Sequence, residues 1–276
     1  MTLDPIAVSI VVAVIGVLAA MPIAARWVRV AQREHYVSGS VSRMAQLWFQ
    51  TELASMIVFL AAAAGTAAAV LVPMFALGAD AAAGLAVGAV LSAIAVALLA
   101  FCPAGLPVRG RSAKLAMTSR VKRLLTAWIV LHALVGGLLL FLMGPAGVAL
   151  TLLLSAPLTD LALAIMAPIE KAGSKKFVVA AQKRLAQVRP RVVAITGSYG
   201  KTSTKNYVAH LLSATFTTVA SPASFNNRLG LSRAVNDKLV PGTEVFVAEM
   251  GIFGPGEIRE LSTYFPPDIA AITTRF

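Results

Sequence analysis

Five long apolar runs fill the first 168 positions, at roughly 6–25, 53–73, 82–102, 124–143 and 147–168. Each is close to the roughly 20 residues a helix needs to cross a hydrocarbon layer about 30 Å thick. From position 169 onward the pattern changes to mixed polar and apolar sequence. The pattern predicts an α-helical membrane domain of about five transmembrane helices over 1–168. After it come a connecting segment over 169–190 and an α/β domain with a mostly parallel sheet over 191–276.

The links between the runs carry charge on alternate sides. The first link holds Arg26, Arg29, Arg33 and Arg43, and the third holds Arg109, Arg111, Lys114, Arg120, Lys122 and Arg123. The opposite links, at 77–81 and 144–146, hold no Lys or Arg. Positive links stay on the cytoplasmic side, which predicts an outside N-terminus and a cytoplasmic C-terminal domain. The leader MTLDP carries Asp4 and no positive stretch, so the first run reads as an uncleaved helix and not as a secretory signal.

Composition agrees with this division. The 276 residues are 58% hydrophobic and 13% charged, and the mean hydropathy is +0.80. The net charge of +12 is topological in the first half, which argues against nucleic acid as a partner. In 169–190 the basic residues Lys175, Lys176, Lys183 and Arg184 alternate with Phe177, Val178, Val179, Ala181 and Leu185. That is the pattern of a basic amphipathic linker lying on anionic lipid, and equally of a solvated connector helix. Cys102 is the single cysteine, so an intrachain disulfide and a multi-cysteine metal site are excluded.

Inside the apolar runs, His132 and Asp160 fall at similar depth on two helices joined by the turn GPAG, where they could hydrogen-bond each other as structural glue or mark a functional site. Gly84, Gly88 and the small residues of 61–69 predict close helix packing.

Chemistry concentrates after Pro190. RVVAIT (Arg191–Thr196) is a short β-branched run of the kind that forms a buried parallel strand. Gly197 to Thr202 then turns the chain into a helix ending near Leu212. The order strand, Gly-rich loop, Lys, hydroxyl residue and helix suits phosphate binding by Gly197, Ser198, Gly200, Lys201, Thr202 and Ser203. The glycines let backbone N–H groups approach a phosphate, Lys201 reaches the outer phosphates, and the Thr202 hydroxyl suits Mg2+. The spacing departs from GxxxxGK[ST], because Ile195 stands at the first Gly position.

TGSYGKTST resembles the TGxxGK[ST] signature of the Mur ligases, ATP-dependent enzymes that join amino acids or peptides to a carboxylate. SFNNRLGLSRAV (Ser224–Val235) and VAEMGIFGPGEIREL (Val247–Leu261) resemble segments of the branch that adds D-alanyl-D-alanine to UDP-muramoyl-tripeptide. PPDIAAIT (Pro266–Thr273) resembles the next strand. The resemblance covers 192–276. It implies ATP and Mg2+ as cofactors, Thr202 and Glu249 as magnesium ligands, and Asn226 and Asn227 lining the substrate and metal region. It further implies activation of a carboxylate as an acyl phosphate and attack by an amine, in cell-wall precursor biosynthesis. The partners would be a lipid-linked or UDP-linked precursor and an amino acid or dipeptide.

The family pattern would continue with an Asn where Thr274 stands, then a His and a Lys that becomes carbamylated. The expectation is therefore an incomplete ATP domain, inactive in ligation by itself, with its catalytic His and Lys beyond Phe276. Alternatives from other classes are a membrane protein with a regulatory or non-catalytic nucleotide-binding domain, and a lipid-sugar kinase. The FNN and EMG segments argue against the kinase.

Overall fold

The computed structural model describes residues 5–75, 81–106, 115–222, 225–252 and 254–274. Asp4, the link 77–80, Arg109, Arg111, Lys114, Ser224 and Phe276 lie outside the described residues. The chain divides into two compact units, Met1–Pro168 and Ile169–Phe276.

The first unit is helical: α1 (Pro5–Arg33), α2 (Ser40–Thr51), α3 (Leu53–Phe75), α4 (Ala81–Ala100), α5 (Ser119–Met143), α6 (Pro145–Leu153) and the start of α7 (Ser155–Val188). Among the described residues, α1, α3, α4 and α5 are each long and apolar enough to cross a membrane. The expected fifth run is broken: α6 and α7 pass that test only as a pair, bent by 66°. Pro157 supplies the reason, since it has no N–H and its ring excludes the carbonyl four residues back, which is Leu153. The Ser155 hydroxyl donates to the Leu152 carbonyl at 2.6 Å and helps satisfy the broken end.

α1 runs on past the expected boundary, so Arg26 lies inside it and not in a link. Its guanidinium donates to the carbonyls of Ala100 (2.6 Å), Cys102 (3.1 Å) and Leu106 (3.1 Å). These carbonyls lie at and just beyond the end of α4, where the helix has no partners of its own to offer.

α2 is an element that the hydrophobic pattern does not announce, and Asp160 accounts for how it begins. The carboxylate of Asp160, 7% exposed, accepts the backbone N–H groups of Gly39 (2.8 Å), Val41 (3.1 Å) and Ser42 (2.7 Å). An anion at a helix N-terminus satisfies orphan donors and meets the positive end of the dipole. The expected His132–Asp160 hydrogen bond is therefore not formed. His132 Nδ1–H instead donates to the Trp128 carbonyl at 2.9 Å, and its ring stacks on Trp128 with centroids 3.5 Å apart. α5 and α7 are joined one position earlier, by Trp128 Nε1–H donating to the Thr159 hydroxyl at 3.0 Å. Asp160 follows by a single residue, about 100° further round the helix, and that rotation carries it toward α2.

Helix packing uses the small residues. A Cβ on Gly88 would stand 2.9 Å from the Ala69 carbonyl and from Pro73 Cγ, and one on Gly147 would collide with the Leu139 carbonyl and lie 2.6 Å from Leu140 N. The outer faces are apolar: Val17 is 66% exposed, Leu134 67% and Phe141 86%.

In the second unit, β1 (Arg191–Thr196), α8 (Lys201–Leu212), β2 (Thr218–Ala220), α9 (Arg228–Lys238), β3 (Val245–Glu249), α10 (Glu257–Tyr264) and β4 (Ile269–Ile272) alternate. The strands form a parallel sheet in the order β2-β3-β1-β4. The period-two alternation of strand side chains separates two cores. Val192, Ala194, Phe246 and Ala248 pack with Leu231, Val235, Leu261 and Phe265 on one face. Val193, Ile195, Val245 and Val247 pack with Val208, Ala209 and Leu212 of α8 on the other.

The segment expected as a separate amphipathic linker is the last part of α7. Val178 and Ala181 are buried, and Ala181, Leu185 and Val188 pack into the first of these cores. Arg184 donates to the carbonyls of Asn236 (2.7 Å) and Leu239 (3.0 Å) at the end of α9. Ala181, Leu185 and Val188 thus lie against their own domain, while Phe177 (40% exposed) and Val179 (38%) stay outward beside Lys175, Lys176 and Lys183.

Gly147→Val should lower the stability of the detergent-solubilised chain by about 3 kcal/mol, because an added side chain meets backbone that cannot yield. Gly137→Ala, whose Cβ meets nothing within 4 Å, should leave the thermal midpoint unchanged; equal midpoints for both variants would contradict this packing.

Candidate functional site

β1 is the strand about which the winding order of the parallel sheet reverses: β2 and β3 lie on one side and β4 on the other. Loops that leave the carboxyl ends of strands at such a point form a natural binding crevice. The Gly-rich loop leaves β1 there. Gly197 has φ +138° and Gly200 has φ +79°, conformations that a side chain resists. Gly200 stands immediately before α8 with no side-chain cap, so the first-turn N–H groups of Lys201, Thr202 and Ser203 have no acceptor within the helix.

The loop is braced by the residues following β4. Ser198 N–H donates to the Thr274 carbonyl at 2.9 Å, and the hydroxyls of Thr273 and Thr274 both donate to the Tyr199 carbonyl. A Cβ on Gly197 would collide with the Thr273 hydroxyl and stand 2.9 Å from Thr274 N. Lys201 curls over the loop, its ammonium 2.6 Å from the Gly197 carbonyl and 3.3 Å from that of Ser198.

Glu249 ends β3, paired in register with Ile195 of β1, and this pairing places its carboxylate beside the loop. It is 3% exposed. Its Oε2 accepts from the Thr202 hydroxyl at 2.9 Å and from the Lys205 ammonium at 3.3 Å, while Oε1 accepts from Asn226 Nδ2 at 3.3 Å. The Glu249 N–H donates to the hydroxyl of Ser221 at 3.0 Å. Thr202, Glu249 and Asn226 therefore meet at one point. Asn227 does not join them: its Oδ1 accepts the Gly230 N–H at 2.9 Å and caps α9.

Residues 195–274 match the Mur ligase middle domain. Over 93 residues the chain is 38% identical to the UDP-N-acetylmuramoyl-tripeptide–D-alanyl-D-alanine ligase of Bacillus subtilis, a stretch that is 34% of this chain and 20% of that protein. The ligase of the same name from Rickettsia prowazekii is 42% identical over 85 residues, 30% of this chain and 18% of the relative. A crystal structure of MurF ligase from Thermotoga maritima in complex with ADP shares 33% identity, covering 36% of this chain and 23% of that one, with a TM-score of 0.34. The chain spans about a fifth of the length of these relatives.

Lys205 is the site residue that the sequence reading misses. It is 2% exposed and its ammonium meets the carboxylate of Glu249. Lys205 stands three residues after Thr202 and four after Lys201, on one face of α8, and that spacing was the available signal. Thr273 was passed over as the end of a strand, although it holds the loop.

Lys205→Met should leave a buried carboxylate without its counter-charge. Breaking such a pair costs about 3 kcal/mol or more, to be read as faster hydrogen exchange at the β3 amides of Val247 to Glu249. Adding Glu249→Gln to that variant should recover part of the loss; unchanged exchange in the single variant would show that the pair contributes no stability.

Proposed function

We propose that this chain is the membrane-anchored, ATP-binding part of a Mur-type ligase, which activates a carboxylate for attack by an amine in cell-wall precursor synthesis. The observation that carries the proposal is the 2.9 Å contact between Thr202 and Glu249 beneath the Gly-rich loop, within the segment that matches the Mur ligase middle domain.

The loop residues suit a triphosphate. Gly200, Lys201, Thr202 and Ser203 present backbone N–H groups at the start of α8, the Lys201 ammonium lies over the loop, and the helix dipole favours an anion. Gly197 lets the loop turn, and Ser198, whose N–H is taken by Thr274, would offer its hydroxyl. In the reaction proposed, a substrate carboxylate oxygen attacks the terminal phosphorus and the bond to the leaving diphosphate breaks. An amine then attacks the acyl carbon, phosphate departs, and the amine's surplus proton is lost to a base. Phosphoryl transfer demands positioning and charge stabilisation, and the braced loop serves both.

The donor set fits a hard cation, since Thr202 and Glu249 offer only oxygen. Thr202 and Glu249 would supply two oxygen ligands, and Mg2+ commonly takes its others from phosphates and water. When bound there, Mg2+ would neutralise phosphate charge. Asn226 holds the Glu249 carboxylate from the side opposite Lys205. Asn227 orders α9, which follows directly.

Membrane anchoring rests on the four long apolar helices and on outward faces such as Leu134 and Phe141. Exposed apolar area on this scale is unfavourable in water. Arg29, Arg33 and Arg43 with Arg120, Lys122 and Arg123 support a basic cytoplasmic side, which would place the loop where ATP is found.

The full chain in lipid nanodiscs should bind a fluorescent ATP analogue in the presence of Mg2+, and Lys201→Ala should weaken binding about tenfold or more, about 1.4 kcal/mol. Wild-type affinity in that variant would refute the loop assignment. Carbonate washing of native membranes should leave the chain in the pellet; its release would refute the anchor.

A further inference from the structure

We propose that the helical unit holds a single anionic lipid, its hydrocarbon chain lying in a slot between α1, α5 and α6 and its phosphate at Arg29 and Arg33. The slot has a volume of about 640 Å³. On α5 its lining runs from Val121 to Leu140, about 28 Å of helix at 1.5 Å per residue, so it is long and narrow, shaped for an extended chain. Ala20 and Ala24 of α1 with Gly136 and Gly137 of α5 keep it open. A Cβ on Gly137 meets nothing within 4 Å. Val17 and Met21 line it and are 66% and 65% exposed, so it opens sideways, where a lipid chain can enter without crossing a polar barrier.

The chemistry of the occupant follows from the end of the slot. Ala24, Ala25 and Val28 are the last residues of α1 that line it. Arg29 follows Val28 directly and Arg33 stands one turn further along, so α1 turns from apolar to cationic just past the end of the slot. Arg29 Nη1 is buried and has no hydrogen-bond partner among the described residues. An unpaired buried guanidinium N–H is costly, and a phosphate oxygen is the acceptor that its geometry suits. Apolar length ending in paired arginines complements an amphiphile with an anionic head. A zwitterionic lipid, whose ammonium would face the same arginines, fits less well.

The inference rests on the reading of this unit as a membrane domain. The full chain is to be placed in nanodiscs of equal parts phosphatidylglycerol and phosphatidylcholine, released into detergent, and weighed with its retained lipid by native mass spectrometry. One phosphatidylglycerol per chain is expected, and inorganic phosphate should not displace it. Gly137→Phe, which fills the slot, should cut retention about tenfold, as should the milder Ala133→Leu should the larger side chain impair folding. Arg29→Gln with Arg33→Gln should abolish the preference for phosphatidylglycerol. Equal retention of both lipids, displacement by inorganic phosphate, or undiminished retention in folded Gly137→Phe or Ala133→Leu would overturn the proposal. A wild-type chain that never enters nanodiscs would sink the membrane reading, whereas one that enters and retains no lipid would sink only the slot.

Discussion

A carboxylate with almost no access to water organises the second unit. Glu249 is 3% exposed, and a buried anion is tolerable only when its lone pairs are satisfied and its charge is balanced. Thr202, Lys205 and Asn226 meet that demand, and each comes from a different stage of the chain's course: the first turn of α8, its second turn, and the approach to α9. The requirement ties the Gly-rich loop to β3 and fixes the crevice at the ends of β1 and β3. The same carboxylate is the natural partner of a hard cation, so stability and the proposed chemistry depend on one group.

The first unit answers a comparable constraint with different means. Its helices present apolar side chains outward, and two of its buried ionisable residues find their partners within the unit. Asp160 does so by accepting three N–H groups at the start of α2, and Arg26 by donating to three carbonyls at and beyond the end of α4. Both use an ionised side chain to close a helix terminus, where four backbone groups lack partners. Acid and base residues in this unit serve the backbone first.

Much of the second unit was legible because its signals are local. The β-branched run of β1, the glycines before Lys201 and the apolar strand ending in Glu249 each lie within a few residues, and each is found where expected. The spacing of Lys205 from Lys201 and Thr202 is a signal for the loop face of α8, but by itself a lysine in TSTK reads as solvated until β3 is placed beside it. Asn227, expected by resemblance beside the substrate, also caps α9, a role its position directly before that helix makes natural. In the first unit the apolar runs marked the long helices. Depth alone could not pair His132 with Asp160, because contact also depends on rotation about the helix axis. Pro157 was the overlooked break in the last run.

The most direct test of the account is an experimental structure of the full chain in nanodiscs with a non-hydrolysable ATP analogue and Mg2+. The account predicts a triphosphate against the N–H groups of residues 200–203, with a cation about 2.1 Å from the Thr202 hydroxyl oxygen and from a Glu249 carboxylate oxygen. A nucleotide bound elsewhere, or Glu249 still closed on Lys205 and Thr202 with no cation between them, would contradict it.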